Sequence, residues 1–223
     1  MIDFIFMLTR EDRTIEDCLD TFDAIAGVGL RHVGFKDIGV TRETLEELNR
    51  RIKASGATSY MEVVSTTPEA CLASAAAAVE IGVDRLLGGT DIAAIQEVIA
   101  GNAIEFMPFP GRPVGHPTDL EGSPEDVAAD CRRFTAFGCA GADLLAYRAT
   151  EADPLELVRA ARRALEGYLV VAGSVASPER IDELVRAGAD AFTIGTAVFD
   201  GSFSPRKGLI TSQLRDILVA AGG

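Results

Sequence analysis

The chain has no tryptophan, two histidines, four cysteines and only three lysines in 223 residues. Each scarcity excludes something. Cys18, Cys71, Cys131 and Cys139 show no CxxC spacing, and the first three fall within helix-like patterns, so they read as small apolar residues of a reduced, cytoplasmic protein rather than a disulfide framework or a zinc site. His32, early in an apolar run, and His116, in a polar loop, are too few and too far apart for a histidine metal centre. Basic residues number 21 against 34 acidic ones, a net charge of −13, so the positive footprint of a nucleic-acid or anionic-membrane binder is missing. No apolar run approaches a membrane span. Met1 to Leu8 lacks the basic flank and the length of a signal peptide.

Present instead is a serial pattern. Eight apolar runs read as buried parallel strands: Ile2 to Leu8, His32 to Asp37, Thr58 to Val64, Asp84 to Gly89, Ile104 to Phe109, Ala142 to Tyr147, Tyr168 to Gly173 and Ala191 to Gly195. They are continuous rather than alternating, as expected where both faces of a sheet are covered. Helix-like stretches separate them. Gly27, Gly56, Gly82, Gly101, Gly138, Gly167 and Gly188 sit where those helices need a left-handed C-terminal residue, and Thr67-Pro68, Ser123-Pro124, Asp153-Pro154 and Ser177-Pro178 each place an N-cap oxygen before a proline at the first helical position. Eight such units averaging roughly 28 residues predict a closed (β/α)8 TIM barrel, a single α/β domain over residues 1–223. An open doubly wound sheet rarely needs eight strands at so even a period. The segment from Pro108 to Gly122 is long for a strand-to-helix loop and is a candidate lid.

Barrel chemistry sits at the C-terminal ends of the strands, so the polar residues there carry the functional expectations. At two of those ends, Gly173-Ser174 and Gly195-Thr196, a glycine and a hydroxyl residue precede a helix. Small residues admit an anion to backbone N–H groups, hydroxyls add donors, and a helix start adds a positive end, so the two neighbouring turns are expected to form a phosphate cradle. Lys36 is the one lysine inside a strand. Alternation turns Val33 and Phe35 toward the helices and Gly34 and Lys36 inward; on the next strand Met61 and Val63 face outward and Tyr60 and Glu62 inward. Lys36 and Glu62 are then neighbours at the mouth, either as an acid/base pair or as an interior salt bridge kept for packing. Asp37, Asp143 and Arg148 are further candidates for the chemistry. The parity of the sixth strand is ambiguous, although Asp143 and Tyr147 should point the same way. Arg10, Arg112 and His116 are placed as lid or substrate contacts, and Asp3 at the opposite, stabilising end.

The segment VVAGSVASPERIDELVRAGADAFTIGTAVF resembles the seventh and eighth units of the ribulose-phosphate-binding barrels, the superfamily of the histidine- and tryptophan-biosynthetic isomerases, keto-gulonate-phosphate decarboxylase and sugar-phosphate epimerases. The resemblance implies a phosphate held by Gly173, Ser174, Gly195 and Thr196. It marks ligand type rather than reaction. The chain departs from each named relative: Leu8-Thr9-Arg10 stands where the phosphoribosylanthranilate isomerases have a cysteine, GFKDIG is only a partial match to the decarboxylases' D-x-K-x-x-D, and the epimerases' metal-binding histidines are missing. No cofactor is expected, with Asp37 and Glu62 the oxygen ligands open to magnesium. The leading expectation is an isomerase or epimerase acting on a small phosphorylated carbonyl compound, with Glu62 moving a proton and Lys36 stabilising the enediolate. Alternatives are a Schiff-base aldolase or lyase using Lys36, with Asp143 or Glu62 moving protons, and a non-catalytic barrel that binds a phosphometabolite. The expected partner is a small phosphorylated metabolite, with a homo-oligomer possible and neither nucleic acid nor membrane involved.

Overall fold

A computed structural model describes every residue except Thr66, His116 and Gly223. Eight parallel strands form one sheet, and all eight apolar runs supply one: β1 Asp3–Met7, β2 His32–Lys36, β3 Thr58–Glu62, β4 Arg85–Leu87, β5 Glu105–Met107, β6 Gly141–Leu144, β7 Tyr168–Val171 and β8 Ala191–Ile194. Seven neighbouring pairs are laddered in the order β6-β7-β8-β1-β2-β3-β4-β5. The eighth seam, between β5 and β6, is closed by the Ala140 N–H donating to the Phe106 carbonyl (2.9 Å) and the Asp143 N–H to that of Pro108 (3.0 Å). The fold is therefore the expected (β/α)8 barrel.

Helices follow the strands: α1 Cys18–Ile25, α2 Arg42–Ala54, α3 Pro68–Ile81, α4 Ile92–Ile99, α5 Pro124–Ala136, α6 Pro154–Ala164 and α7 Pro178–Ala187, then the short α8 Thr196–Phe199 and α9 Ile210–Ala220. The four proline starts all hold. Ser123, Asp153 and Ser177 accept backbone N–H bonds as N-caps, while the Thr67 side chain makes no cap bond. Two glycine stops are misplaced. Gly167 (φ 148°) lies two residues beyond the extended Leu165 that ends α6 and is not in the left-handed helical geometry. Gly27 lies inside a 3-10 turn, Ala26–Val28, that prolongs α1, and Gly29 (φ 76°) takes the left-handed position two residues later.

Alternation within the strands sorts the core into two parts. Phe4, Phe6, Val33, Phe35, Met61, Val63, Ala142, Leu144, Leu169 and Val171 pack against the helices, whereas Ile5, Met7, Tyr60, Leu87, Met107, Val170 and Ala191 fill the barrel. Gly34 is required inside: a Cβ there would sit 2.4 Å from the Met7 sulfur. At the N-terminal end Tyr60, its hydroxyl 3.0 Å from His32 Nδ1, accepts from Arg85, and Tyr168 donates to Asp3, closing that end with satisfied polar groups. Asp3 accordingly sits away from the mouth. Two hairpins stand at the opposite end, one pairing Thr9–Arg10 with Arg13–Thr14 and one pairing Arg112–Val114 with Asp119–Glu121 inside the long loop.

Candidate active site

Strand register sets Lys36 directly beside Glu62, both pointing into the mouth and both buried. Their charged groups meet at 2.9 Å (Nζ to Oε1). The Lys36 backbone is pinned as well, because Thr14 Oγ1 accepts from its N–H and donates to its carbonyl, each at 2.8 Å. Strand alternation foretold the Lys36 and Glu62 juxtaposition, and the Thr14 contact is new.

A second carboxylate, unforeseen in the sequence, completes the grip on Lys36. The hairpin after β1 turns through Glu11 and Asp12, both with positive φ (51° and 56°), the geometry of a two-residue turn whose twist suits a β-hairpin. It carries Asp12, buried, into the mouth, where Oδ1 lies 2.9 Å from Lys36 Nζ. Arg148 approaches the same carboxylate in a fork, NH1 to Oδ2 at 2.8 Å and NH2 to Oδ1 at 2.9 Å, and also donates to the Thr118 carbonyl at 3.1 Å. One carboxylate thus ties together the β1 hairpin, Lys36 on β2 and the turn after β6, while Arg148 adds the long loop after β5.

The electrostatics follow from these contacts. Burial works against the Lys36 ammonium, but Glu62 and Asp12 outweigh it and hold the pKa above the ordinary lysine value, so Lys36 is charged. Burial likewise opposes ionisation of Asp12, and the Arg148 hydrogen bonds and Lys36 charge more than reverse it, holding the carboxyl well below its ordinary range. Asp143 goes the other way. It is wholly buried, pointing inward from β6 between Ala142 and Leu144 of the helix-facing layer, and neither carboxyl oxygen has a hydrogen-bond partner among the described residues. Desolvation, then the Glu62 carboxylate, raise its pKa well above 3.8, which favours the neutral acid.

The two glycine turns lie on the same cleft, of about 370 Å³, that Asp12, Lys36, Glu62 and Arg148 line. Gly173 has φ +78°, and a Cβ there would fall 2.7 Å from Arg148 Nε, so glycine serves both backbone shape and close approach. Ser174 is also left-handed (φ 58°). Among the described residues the N–H groups of Ser174, Val175 and Thr196 donate to no protein acceptor, leaving a set of unpartnered amides in the cleft lining where the sequence expects an anion. Arg180, from the first turn of α7, also lines the cleft; its guanidinium lies 4.6 Å from the Tyr147 ring centroid and donates to the Ser174 carbonyl. Arg180 was not among the site residues expected from the sequence.

Several expected site residues lie elsewhere. Asp37 follows the inward Lys36 and so turns outward, where its carboxylate accepts from the Val64 N–H (3.1 Å) and from Ser74 on α3; burial raises its pKa. Asp37 and Glu62 occupy opposite faces of the sheet and do not form the magnesium pair. No cluster of three or more potential metal ligands occurs among the described residues. Tyr147 does not share Asp143's direction, because the strand ends at Leu144 and a 3-10 turn, Ala146–Arg148, rotates the tyrosine to Glu183 on α7 (3.1 Å) and Arg148 into the mouth. Arg10 is exposed and outside the cleft, and Arg112 is exposed and paired with Glu121 at 2.6 Å across its own hairpin. His116 lies outside the described residues. The long loop is anchored rather than open on one flank, by Thr118 on Arg148 and by Leu120 bridging Ala149. No helix among the described residues is long and apolar enough to cross a membrane.

No protein-family model matches the sequence, and no curated protein matches it. Among solved structures, the barrel is similar to orotidine 5'-phosphate decarboxylase from Pyrococcus horikoshii OT3, with TM-score 0.69 and 12% identity over 99% of each chain. It is similar to thiamine phosphate pyrophosphorylase from Pyrococcus furiosus, with TM-score 0.63 and 16% identity over 100% of this chain and 97% of that one. A cube-shaped, highly porous protein cage designed by fusing symmetric oligomeric domains matches with TM-score 0.67 and 14% identity over 98% of this chain and 72% of the other. At 12–16% identity these matches establish likeness of fold alone.

Proposed function

We propose that the barrel is an enzyme that moves a proton on a small phosphorylated carbonyl compound, an isomerase or epimerase working without a metal. The observation that carries the reading is the sharing of one cleft by a set of unpartnered amides at Gly173-Ser174 and Gly195-Thr196 and by the Lys36, Glu62, Asp12 and Arg148 cluster. The phosphate binds at the first and places the carbonyl end over the second. Glu62 acts as the base, taking a proton from the carbon next to the carbonyl and returning it to the neighbouring carbon or to the other face. Lys36 keeps its positive charge beside the developing enediolate oxygen, and Asp12 with Arg148 fixes that charge in place before substrate arrives. The names of two barrels of the same fold each include a phosphorylated compound, which agrees with the ligand class.

The imine alternative is less well supported, since a Schiff base needs a neutral amine and Lys36 is held protonated between two carboxylates. A decarboxylase reading draws on the named activity of one structural neighbour, and Lys36 would serve a carbanion in the same manner. The test is solvent exchange. Phosphorylated ketoses and aldoses incubated with the protein in heavy water should gain deuterium next to the carbonyl, followed by NMR, and Glu62→Gln should slow exchange by roughly 10²–10⁴-fold, the usual share of a general base. Exchange that survives Glu62→Gln unchanged, or carbon dioxide release without exchange, would refute the assignment.

A further inference from the structure

The cleft is electrostatically two-ended, and this restricts what its ligand carries at the reacting end. Its charged lining consists of Asp12, Lys36, Glu62, Arg148, Arg180 and Asp200. At the mouth end every cation among the described residues is already engaged. Lys36 spends two of its three N–H groups on Asp12 and Glu62, and Arg148 gives both terminal nitrogens to Asp12 and a further bond to the Thr118 carbonyl. Two positive and two negative groups balance there. Beneath them lies the orphan carboxyl of Asp143, wholly buried and outside the cleft lining, which adds no positive charge to the mouth. At the cradle end the balance differs. Arg180 meets no carboxylate at ion-pair distance among the described residues, and the amides of Ser174, Val175 and Thr196 have no protein acceptor; the one acidic residue there, Asp200, is exposed and its side chain accepts from the Ser202 N–H. The geometry points to a ligand with a single anionic end: a phosphate monoester whose reacting end is uncharged, an aldose, ketose or polyol phosphate, and not a phosphorylated hydroxy or keto acid.

The inference rests on the phosphate reading of the cradle and goes beyond it by excluding a second anion. A ligand carboxylate at the mouth would have to displace Asp12 from both Lys36 and Arg148, leaving a buried carboxylate unpaired, or share the one remaining N–H of Lys36 while lying beside the like-charged Glu62 and Asp12. A neutral carbonyl or hydroxyl needs only the third N–H of Lys36. The same logic disfavours decarboxylation at this site, because its substrate must bring a carboxylate to the mouth.

Two probes separate the cases, since glycerol 3-phosphate and 3-phosphoglycerate differ only in carrying CH2OH or a carboxylate at the end away from the phosphate. Calorimetric titration of the intact protein near neutral pH, with inorganic phosphate as reference, should show glycerol 3-phosphate binding at least about tenfold more tightly than 3-phosphoglycerate, on the scale by which like charge rejects a partner. Asp12→Asn, which frees Lys36 and Arg148, should narrow that gap by strengthening 3-phosphoglycerate more than glycerol 3-phosphate; if that variant does not fold, the wild-type ratio decides alone. Equal or tighter binding of 3-phosphoglycerate by the wild-type protein, with inorganic phosphate also bound, overturns the inference and leaves the phosphate cradle standing. Failure of all three probes to bind overturns both.

Discussion

Removing the Lys36 ammonium should have a cost that depends on pH in a specified direction. In Lys36→Met, Asp12 keeps its fork from Arg148, but Glu62, 6% exposed, loses its ion-pair partner and faces Asp12 and the Asp143 carboxyl. Breaking one side of a buried pair costs about 3–5 kcal/mol, which for a chain of this size lowers the melting temperature by about 6–20 °C. The sign follows from linkage. A carboxyl left unpaired in the fold has its pKa raised there, so the unfolded state releases a proton that the folded state must keep or ionise at a cost; the deficit is full near neutral pH and shrinks as pH falls into the ordinary carboxyl range. Scanning calorimetry of wild type, Lys36→Met and Lys36→Met/Glu62→Met across that range measures it. The double variant should recover most of the loss, since an apolar pair replaces an unpaired charge. A Lys36→Met variant that loses less than about 1 kcal/mol at every pH, with the double variant less stable still, would refute the coupling.

Other expectations follow from neighbouring groups. Borohydride added with phosphorylated aldehydes or ketones near neutral pH should leave no reduced adduct on Lys36 by mass spectrometry, because the amine is held protonated; an adduct at that residue would restore the imine reading. Asp143, whose folded pKa is raised, should make wild-type stability fall as pH rises above the unfolded carboxyl value, by up to about 1.4 kcal/mol per pH unit until its folded pKa is reached. Asp143→Asn removes that titration and should flatten the profile in denaturant melts; an unaltered slope would show Asp143 ionised as usual. Gly173→Ala should destabilise by about 1 kcal/mol or more and weaken inorganic phosphate binding, since the backbone is left-handed and the new methyl meets Arg148; unchanged denaturation and phosphate titration would contradict the close approach.

What the sequence makes legible is what regular structure controls. Parallel strands covered on both faces must be continuous apolar runs, and proline at the first helical turn fixes where a helix begins, so the eight units and four of the helix starts can be read without coordinates. Lys36 and Glu62 can be paired because alternation holds inside a strand. Beyond the strand ends it fails. Asp37 is adjacent to Lys36 in the chain yet faces α3, and Tyr147 and Arg148 leave the parity of Asp143 because a 3-10 turn intervenes. Asp12 could not be found at all: its place depends on a two-residue turn through Glu11 and Asp12 with no glycine to announce it, and its partner Arg148 is 136 positions away. Arg180 is hidden for a similar reason, being an ordinary helix-start arginine until β7 and β8 bring the cradle beside it.

The central claim is that the two glycine turns hold a phosphate while the Lys36 and Glu62 pair meets the carbonyl of the same molecule. A crystal structure with dihydroxyacetone phosphate bound tests it most directly. The account predicts phosphate oxygens on the N–H groups of Ser174, Val175 and Thr196 with Arg180 alongside, and the carbonyl oxygen within hydrogen-bond reach of Lys36 Nζ. Phosphate bound at the Lys36 and Arg148 end, or outside the cleft with the two turns unvisited, would contradict it.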